Sequence, residues 1–307
     1  MRVIFAGTPE VALPAVQALA HSRHDLVAVV SRPDAPQGRS RRPVPSPVSA
    51  WAHANGIEVL TPEHPRDPAF IERLTELAPD CCPVVAYGAL IPSRVLAVPR
   101  HGWVNVHFSL LPAYRGAAPV QRAIMDGVET TGISIFDLVP ALDAGPTYRQ
   151  EATTIGALET SGELLGRLAV RGADLLVDVL DSLEDGTAVA TPQTEAGLSL
   201  APKLLVEEAR LEWSRAADAL ARHIRACNPA PGAWTTLRGE RFRVLLARPT
   251  ESRELGAGEL AVERRRVLVG TGEGDLELIT VQPAGRKPME AAAWGRGLGQ
   301  GTEGFDR

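Results

Sequence analysis

Short Val/Ile-rich runs alternate with helical stretches over the first half of the chain. RVIFAG ends at Gly7, LVAVV covers 26–30 and IEVL covers 57–60; CPVVAYG (82–88) and GWVNVHF (102–108) follow. Helical periodicity lies between them, from Pro9 to about Ala20, over 67–77 and over 117–126. This alternation predicts βαβ units and an α/β fold with a mostly parallel sheet. TGISIFDL (131–138) alternates polar and apolar residues and predicts a further strand. Residues 159–186 predict a long amphipathic helix, because Leu164, Leu165, Leu168, Leu175, Leu176 and Val179 recur at helical spacing. Thr160 is placed to cap it and Gly186 to end it.

After Leu198 the pattern changes. The linker SLAPKLLVEEAR leads to one more helix, roughly 214–227. Short β-like runs follow, AWTTL, RFRVLLA, RVLVGTG and LELITVQP, separated by Gly, Pro and charged turns. Strands at this spacing predict a small β-barrel of the oligonucleotide-binding (OB-like) type. Two domains are expected, residues 1–202 and 203–307.

Composition fits this division. A chain of 307 residues at 45% hydrophobic supports two ordinary cores, and its 28 Gly and 25 Pro follow no repeat period. No apolar run approaches the 18 residues of a membrane helix, and Pro9, Glu10 and Pro14 interrupt any signal-peptide core. The three cysteines, Cys81, Cys82 and Cys227, form no CxxC pair, which fits a reduced cytoplasm. The net charge of −5 argues mildly against a nucleic-acid partner. Divided at the domain boundary, however, the first part is −7 and the second, with 17 basic and 15 acidic residues, is +2. Within the acidic part, Arg32, Arg39, Arg41 and Arg42 stand against Asp34 alone in a proline-rich loop over 32–47. That loop cannot be a helix or a central strand. It is either a solvated excursion or a finger that docks on phosphates.

The strongest chemical signal is Asn105-Val106-His107-Phe108-Ser109-Leu110-Leu111-Pro112. Strand alternation puts Asn105 and His107 on one face, where an amide and an imidazole can hold a developing oxyanion. The segment ends a strand, the place where open α/β sheets carry their sites. A core histidine bonded to an asparagine is the alternative. Asp143, in Leu142-Asp143-Ala144-Gly145, could orient that imidazole and relay a proton; by itself it reads as a turn. AGTPE (6–10) lacks both the dinucleotide fingerprint and the P-loop ending, so Thr8 reads as a helix cap with Pro9 at the first helical position. His21 and His24 read as a solvated helix end, not as metal ligands.

Several segments together resemble the methionyl-tRNA formyltransferase family. They are AGTPE, RPDAPQGR (32–39), VPSPV (44–48), VVAYG (84–88), NVHFSLLPAYRGAAPVQRAI (105–124), LDAG (142–145), APK (201–203), IRACNPAPGAW (224–234) and QPAGRKPM (282–289). The resemblance runs from about Met1 to Trp294. It implies a Rossmann-like formyltransferase fold with a C-terminal tRNA-docking barrel. The implied activity is transfer of the formyl group of 10-formyltetrahydrofolate to the amine of methionyl initiator tRNA, with no metal. The implied catalytic residues are Asn105, His107 and Asp143. The implied folate contacts are Val85, Ala86, Tyr87 and Gly88 on one segment and Ser109, Leu110, Leu111 and Pro112 on another. Arg32, Arg39, Arg41 and Arg42 fall on the acceptor-stem loop, and the chain is expected to act as a monomer away from membranes. Phe108, Ala141 and Pro146 depart from the family's pattern. The alternatives are a formyltransferase for another amine, such as an amino sugar or glycinamide ribonucleotide, and a catalytically silent tRNA-binding protein.

Overall fold

The computed structural model describes residues 1–36, 42–252, 254–298 and 304–306. In chain order, the first nine strands are β1 (Arg2–Gly7), β2 (Asp25–Val30), β3 (Ala35–Pro36), β4 (Pro43–Val44), β5 (Glu58–Leu60), β6 (Cys82–Val85), β7 (Trp103–His107), β8 (Thr130–Asp137) and β9 (Thr147–Thr154). The helices among and after them are α1 (Leu13–Ala20), α2 (Pro47–Ala54), α3 (Pro68–Leu77), α4 (Ser93–Leu96), α5 (Pro119–Asp126) and α6 (Ser161–Glu184). Every apolar run read from the sequence in this region forms a strand.

The main sheet has the order β5-β2-β1-β6-β7-β8-β9. Strands β5, β2, β1, β6 and β7 pair in parallel, and β8 runs antiparallel to β7. The strand order reverses between β1 and β6, and the crevice at such a switch point is where open α/β sheets bind ligands. Ile4, Val30, Val84 and Trp103 bury one face of this sheet against Phe70 and Leu74 of α3. On the other face, Val106 meets α6 at Gly172, where even a methyl group would lie 2.9 Å from the valine. Phe108 points to this same side, 3.7 Å from that position. Its ring therefore fills the layer under the helix, opposite Asn105 and His107.

Helix α6 is capped as its sequence indicates. Thr160 and Glu163 bond reciprocally, the Glu163 carboxylate accepting from the Thr160 amide at 2.8 Å and the Thr160 hydroxyl accepting from the Glu163 amide at 3.3 Å. Three features differ from the sequence reading. Strand β9, TYRQEATT, has no apolar run; it lies at the sheet edge with every residue half-buried or exposed, so nothing demands one. Thr8 caps no helix, and the chain enters α1 through a 3₁₀ turn at Glu10–Ala12 whose N-cap is Pro9. His24 is buried, its Nε2 3.2 Å from Asp181. With Glu184 these form the one group among the described residues within common reach of a metal, but Arg23 already engages both carboxylates.

The second part of the chain holds α7 (Ala217–Cys227), β10 (Trp234–Leu237), β11 (Glu240–Pro249), β12 (Leu260–Val262), β13 (Val267–Gly270), β14 (Asp275–Gln282), β15 (Met289–Glu290) and α8 (Ala291–Gly295). The strands make an antiparallel half-barrel in the order β10-β11-β14-β13-β12, with β15 on β14. Leu220 and Ile224 of α7 close its core with Phe242, Val244, Val269, Leu276 and Phe305. By their contacts the residues fall into two units. One comprises Met1–Gly116, Gly132–Thr153 and Leu165–Leu200, the other Ala117–Thr131, Thr154–Leu164 and Ala201–Arg307. Cys81, Cys82 and Cys227 are free and buried; burial raises all three thiol pKa values, that of Cys227 to about 12. No described helix is long and apolar enough to cross a membrane.

Candidate active site

Alternation along β7 places Trp103, Asn105 and His107 on one face, with Val104 and Val106 on the other. Asn105 lies opposite Phe136 of β8 and beside Val84 of β6. Its amide oxygen is buried and has no hydrogen-bond partner among the described residues. A buried carbonyl left this way is destabilising unless a ligand supplies an N–H.

His107 is 5% exposed, and its ring packs edge-on against Phe136. Its Nε2 lies 2.8 Å from the carbonyl oxygen of Tyr114. A carbonyl only accepts, so Nε2 carries the proton and, in the neutral ring, Nδ1 carries the lone pair. Nδ1 faces Asp143, with Oδ2 at 3.8 Å. Burial pushes the imidazole pKa down, against the opposing pull of Asp143, so the neutral ring predominates at physiological pH.

Asp143 sits on the loop joining β8 to β9. Its Oδ2 also accepts from the Gly116 amide at 2.7 Å. Gln193 holds that loop from behind, donating to the carbonyls of Asp143 and Gly145 at 2.9 and 2.7 Å. Arg115 in turn donates to the Gln193 amide oxygen at 2.6 Å. Gly145 leaves no space for a side chain, because a Cβ there would lie 1.8 Å from the Asp137 carbonyl oxygen. Ala86, Tyr114 and Asp143 all have positive φ, at 48°, 61° and 45°. Such strained backbone gathers where a constellation must be held against local preference.

The other sequence-derived positions behave differently. Val85 ends β6, Ala86 and Gly88 are exposed, and Tyr87 is buried in the sheet core. The Tyr87 carbonyl accepts from the Thr8 hydroxyl at 2.9 Å, and that hydroxyl accepts from the Arg32 amide, so Thr8 ties three strand ends together at the switch point. Ser109 is fully buried, donating to the Ala113 carbonyl, and Leu111 is buried with its amide on Ser134. Leu110 and Pro112 are half-buried. Arg32 donates to the Glu63 carbonyl and, with His64, Arg66 and Leu90, lines a cavity of about 430 Å³ beside Gly88. Arg42 is exposed at the base of the β3–β4 hairpin; Arg39 and Arg41 lie outside the described residues. Tyr114, Gly116 and Gln193 were not singled out from the sequence. The first two act through backbone atoms, which carry no residue-type signal, and Gln193 lies in a polar loop.

A half-buried amide and a buried imidazole on one strand, faced by a carboxylate from a loop, suit acyl or formyl transfer to an amine. Residues 1–180 match the formyl transferase family and residues 203–299 match the formyl transferase C-terminal domain. Methionyl-tRNA formyltransferase of Salinispora arenicola is 57% identical over 97% of both chains. That of Streptomyces coelicolor is 56% identical over 97% of this chain and 96% of its own. A solved sugar 3N-formyl transferase, WlaRD, crystallised in the presence of dTDP and 5-N-formyl-THF, superposes with a TM-score of 0.68 at 14% identity, covering 94% of this chain and 99% of that one. The fold and site thus define a formyl transferase. Within that class, the chain belongs to the methionyl-tRNA formyltransferase family.

Proposed function

We propose that this chain transfers the formyl group of 10-formyltetrahydrofolate to the α-amine of methionyl initiator tRNA, and that Asn105, His107 and Asp143 carry the transfer. The observation that carries the reading is the His107 ring, buried and neutral, with Nδ1 free to accept a proton between Asn105 and Asp143. The unpaired Asn105 oxygen fits a site built to receive an N–H, as an incoming amine or a folate nitrogen would provide. Ala86, Gly88, Leu110 and Pro112 are the candidate folate contacts with accessible atoms, while Val85, Tyr87, Ser109 and Leu111 shape the floor behind them. The folate supplies a formyl carbon already activated on a nitrogen leaving group.

The amine nitrogen forms its bond to the formyl carbon, and the carbonyl electron pair moves onto oxygen. Asn105 Nδ2–H donates to that oxygen. His107 Nδ1 accepts the proton the amine loses, and Asp143 stabilises the imidazolium. The same Nδ1–H then protonates the departing nitrogen as the carbonyl re-forms, which restores the neutral ring. This assigns proton transfer to His107 and the electrostatic support to Asp143, because the Tyr114 carbonyl already occupies Nε2–H.

The tRNA contacts are proposed for the arginines at 32, 39, 41 and 42 and for residues 203–307, with 1–202 as the catalytic domain. In the second unit, the Arg210 and Arg241 guanidiniums stand over the Trp234 ring at 5.8 and 4.2 Å, an arrangement suited to a polyanion. Formylation of charged initiator tRNA, elongator Met-tRNA and a free amino sugar by the purified chain tests the reading. Product on initiator tRNA is expected. Product only on the sugar would replace this reading with another amine acceptor.

A further inference from the structure

Residues 191–200 of the first unit form an irregular segment after α6. Eight of the ten are exposed, Leu198 and Leu200 among them at 46% and 64%, and only Gln193 and Ser199 are half-buried. A segment that buries no apolar side chain draws little stability from the core, so its path is set by its hydrogen bonds. Backbone pairs tie its two ends: Thr191 and Thr147 exchange bonds at 2.8 Å, and the Ser199 carbonyl accepts from the Arg115 amide at 2.9 Å.

The two half-buried side chains meet the two residues that flank His107. Gln193 Nε2 donates to the carbonyls of Asp143 and Gly145 at 2.9 and 2.7 Å, and its Oε1 accepts from Arg115 Nε and Nη2 at 3.1 and 2.6 Å. Carbonyls only accept and a guanidinium only donates, so this amide has one orientation and all its polar positions are engaged. Ser199 Oγ accepts from the Tyr114 amide at 2.9 Å. Asp143 faces Nδ1 of His107, and the Tyr114 carbonyl faces Nε2. Both flanking residues have left-handed backbone, with φ of 45° and 61°. Residues other than glycine persist there only where surrounding contacts over-determine them. Each therefore takes one of those contacts from the same exposed segment.

We propose that residues 191–200 are the positioning element of His107: Gln193 holds Asp143 toward one ring nitrogen, and Ser199 holds the Tyr114 carbonyl toward the other. Neither side chain touches a reacting atom. Both act through the residue they bond, and Arg115 fixes the amide of Gln193. The inference rests on the assignment of His107 and Asp143 to formyl transfer.

The test uses the full chain and measures kcat, KM for tRNA and for 10-formyltetrahydrofolate, and the pH–rate profile. The variants are Gln193→Leu, Gln193→Glu, Ser199→Ala, Asp143→Asn and the double variant of Gln193→Leu with Asp143→Asn. Gln193→Leu should lower kcat about ten- to a hundredfold, with both KM values within about twofold of wild type. Gln193→Glu keeps an acceptor for Arg115 but sets a carboxylate against two carbonyls, so it should lose as much; it carries the same expectation if Gln193→Leu does not fold. Ser199→Ala loses one hydrogen bond and should lower kcat about three- to tenfold. The Asp143 charge and the Tyr114 carbonyl both raise the His107 pKa against burial. Loosening either should therefore move the acid limb of the profile to lower pH. A loss of folded protein would lower the rate at every pH and leave the limb in place. With Asp143→Asn already present, Gln193→Leu should cost little more, because the two changes act on one contact. Wild-type kcat and acid limb in the Gln193 variants, with Asp143→Asn inactive, would overturn the inference alone. Full activity in Gln193→Glu would also overturn it, since the donated bonds would then be dispensable. Wild-type turnover in Asp143→Asn would remove the functional reading and this role with it.

Discussion

His107 is held by an atom that cannot be substituted, the Tyr114 carbonyl, and this fixes what the ring can do. A neutral imidazole with Nε2–H engaged accepts at Nδ1, so activity should depend on the unprotonated ring. Because burial lowers its pKa, kcat/KM is expected to stay level around neutrality and to fall on the acid side, below the ordinary imidazole range. In Asp143→Asn the raising pull of the carboxylate is lost, so the acid limb should move to still lower pH while kcat drops by about two to four orders of magnitude. A pH–rate profile of both proteins checks this; an acid limb that moves upward in the variant would contradict the assignment. Asn105→Ala should also depress kcat, by about a hundredfold or more, with tRNA affinity retained. The Asn105 and His107 pair was legible from strand alternation, since side chains two apart must share a face. Asp143 was legible only through resemblance, because a carboxylate before a glycine has no signature that names its partner across the fold. The Gly116 amide and the Gln193 brace were not legible, as main-chain donors and polar loops look alike in any sequence.

Helix α6 carries two glycines in very different surroundings. A methyl group at Gly166 would meet nothing within 4 Å, whereas at Gly172 it would press to 2.9 Å from Val106 of β7. Replacing glycine by alanine inside a helix is worth about 1 kcal/mol in propensity. Gly166→Ala should therefore raise stability by about 0.5–1 kcal/mol, while Gly172→Ala should lose that gain and lower it, because the strand carrying His107 must shift. Urea unfolding of the two variants, made in parallel, decides the matter; equal stabilisation of both would mean that the helix does not bear on β7. The helices and buried strands were readable because burial writes a period into the chain. The edge strand β9 and the Thr8 tie were not: an edge needs no apolar face, and a threonine after a strand serves a cap or a crossing chain equally well.

For the whole molecule, His24, His107 and His223 are all buried, with pKa values lowered first by burial. Unfolding returns each to about 6.5. The unfolded chain therefore binds more protons just below that value, and the stability these residues confer is complete above it and lost as pH falls. The urea midpoint should be lower at about pH 5.5 than at about pH 7.5, by an amount that shrinks when His24 is replaced by a neutral residue of similar size. The net charge of −5 hides a basic second part and a basic loop, so tRNA binding should weaken as salt rises even though the chain as a whole is acidic. The three buried cysteines lead to a practical consequence. With thiols shielded and poorly ionised, the folded protein should be nearly inert to maleimides and should expose three reactive sulfurs only on denaturation. A single Arg42→Cys replacement would then give one addressable handle at the base of the proline-rich hairpin without removing any natural cysteine. A fluorophore placed there would test the contact proposed for this hairpin: its emission should change when tRNA is added, and no change would argue against that contact.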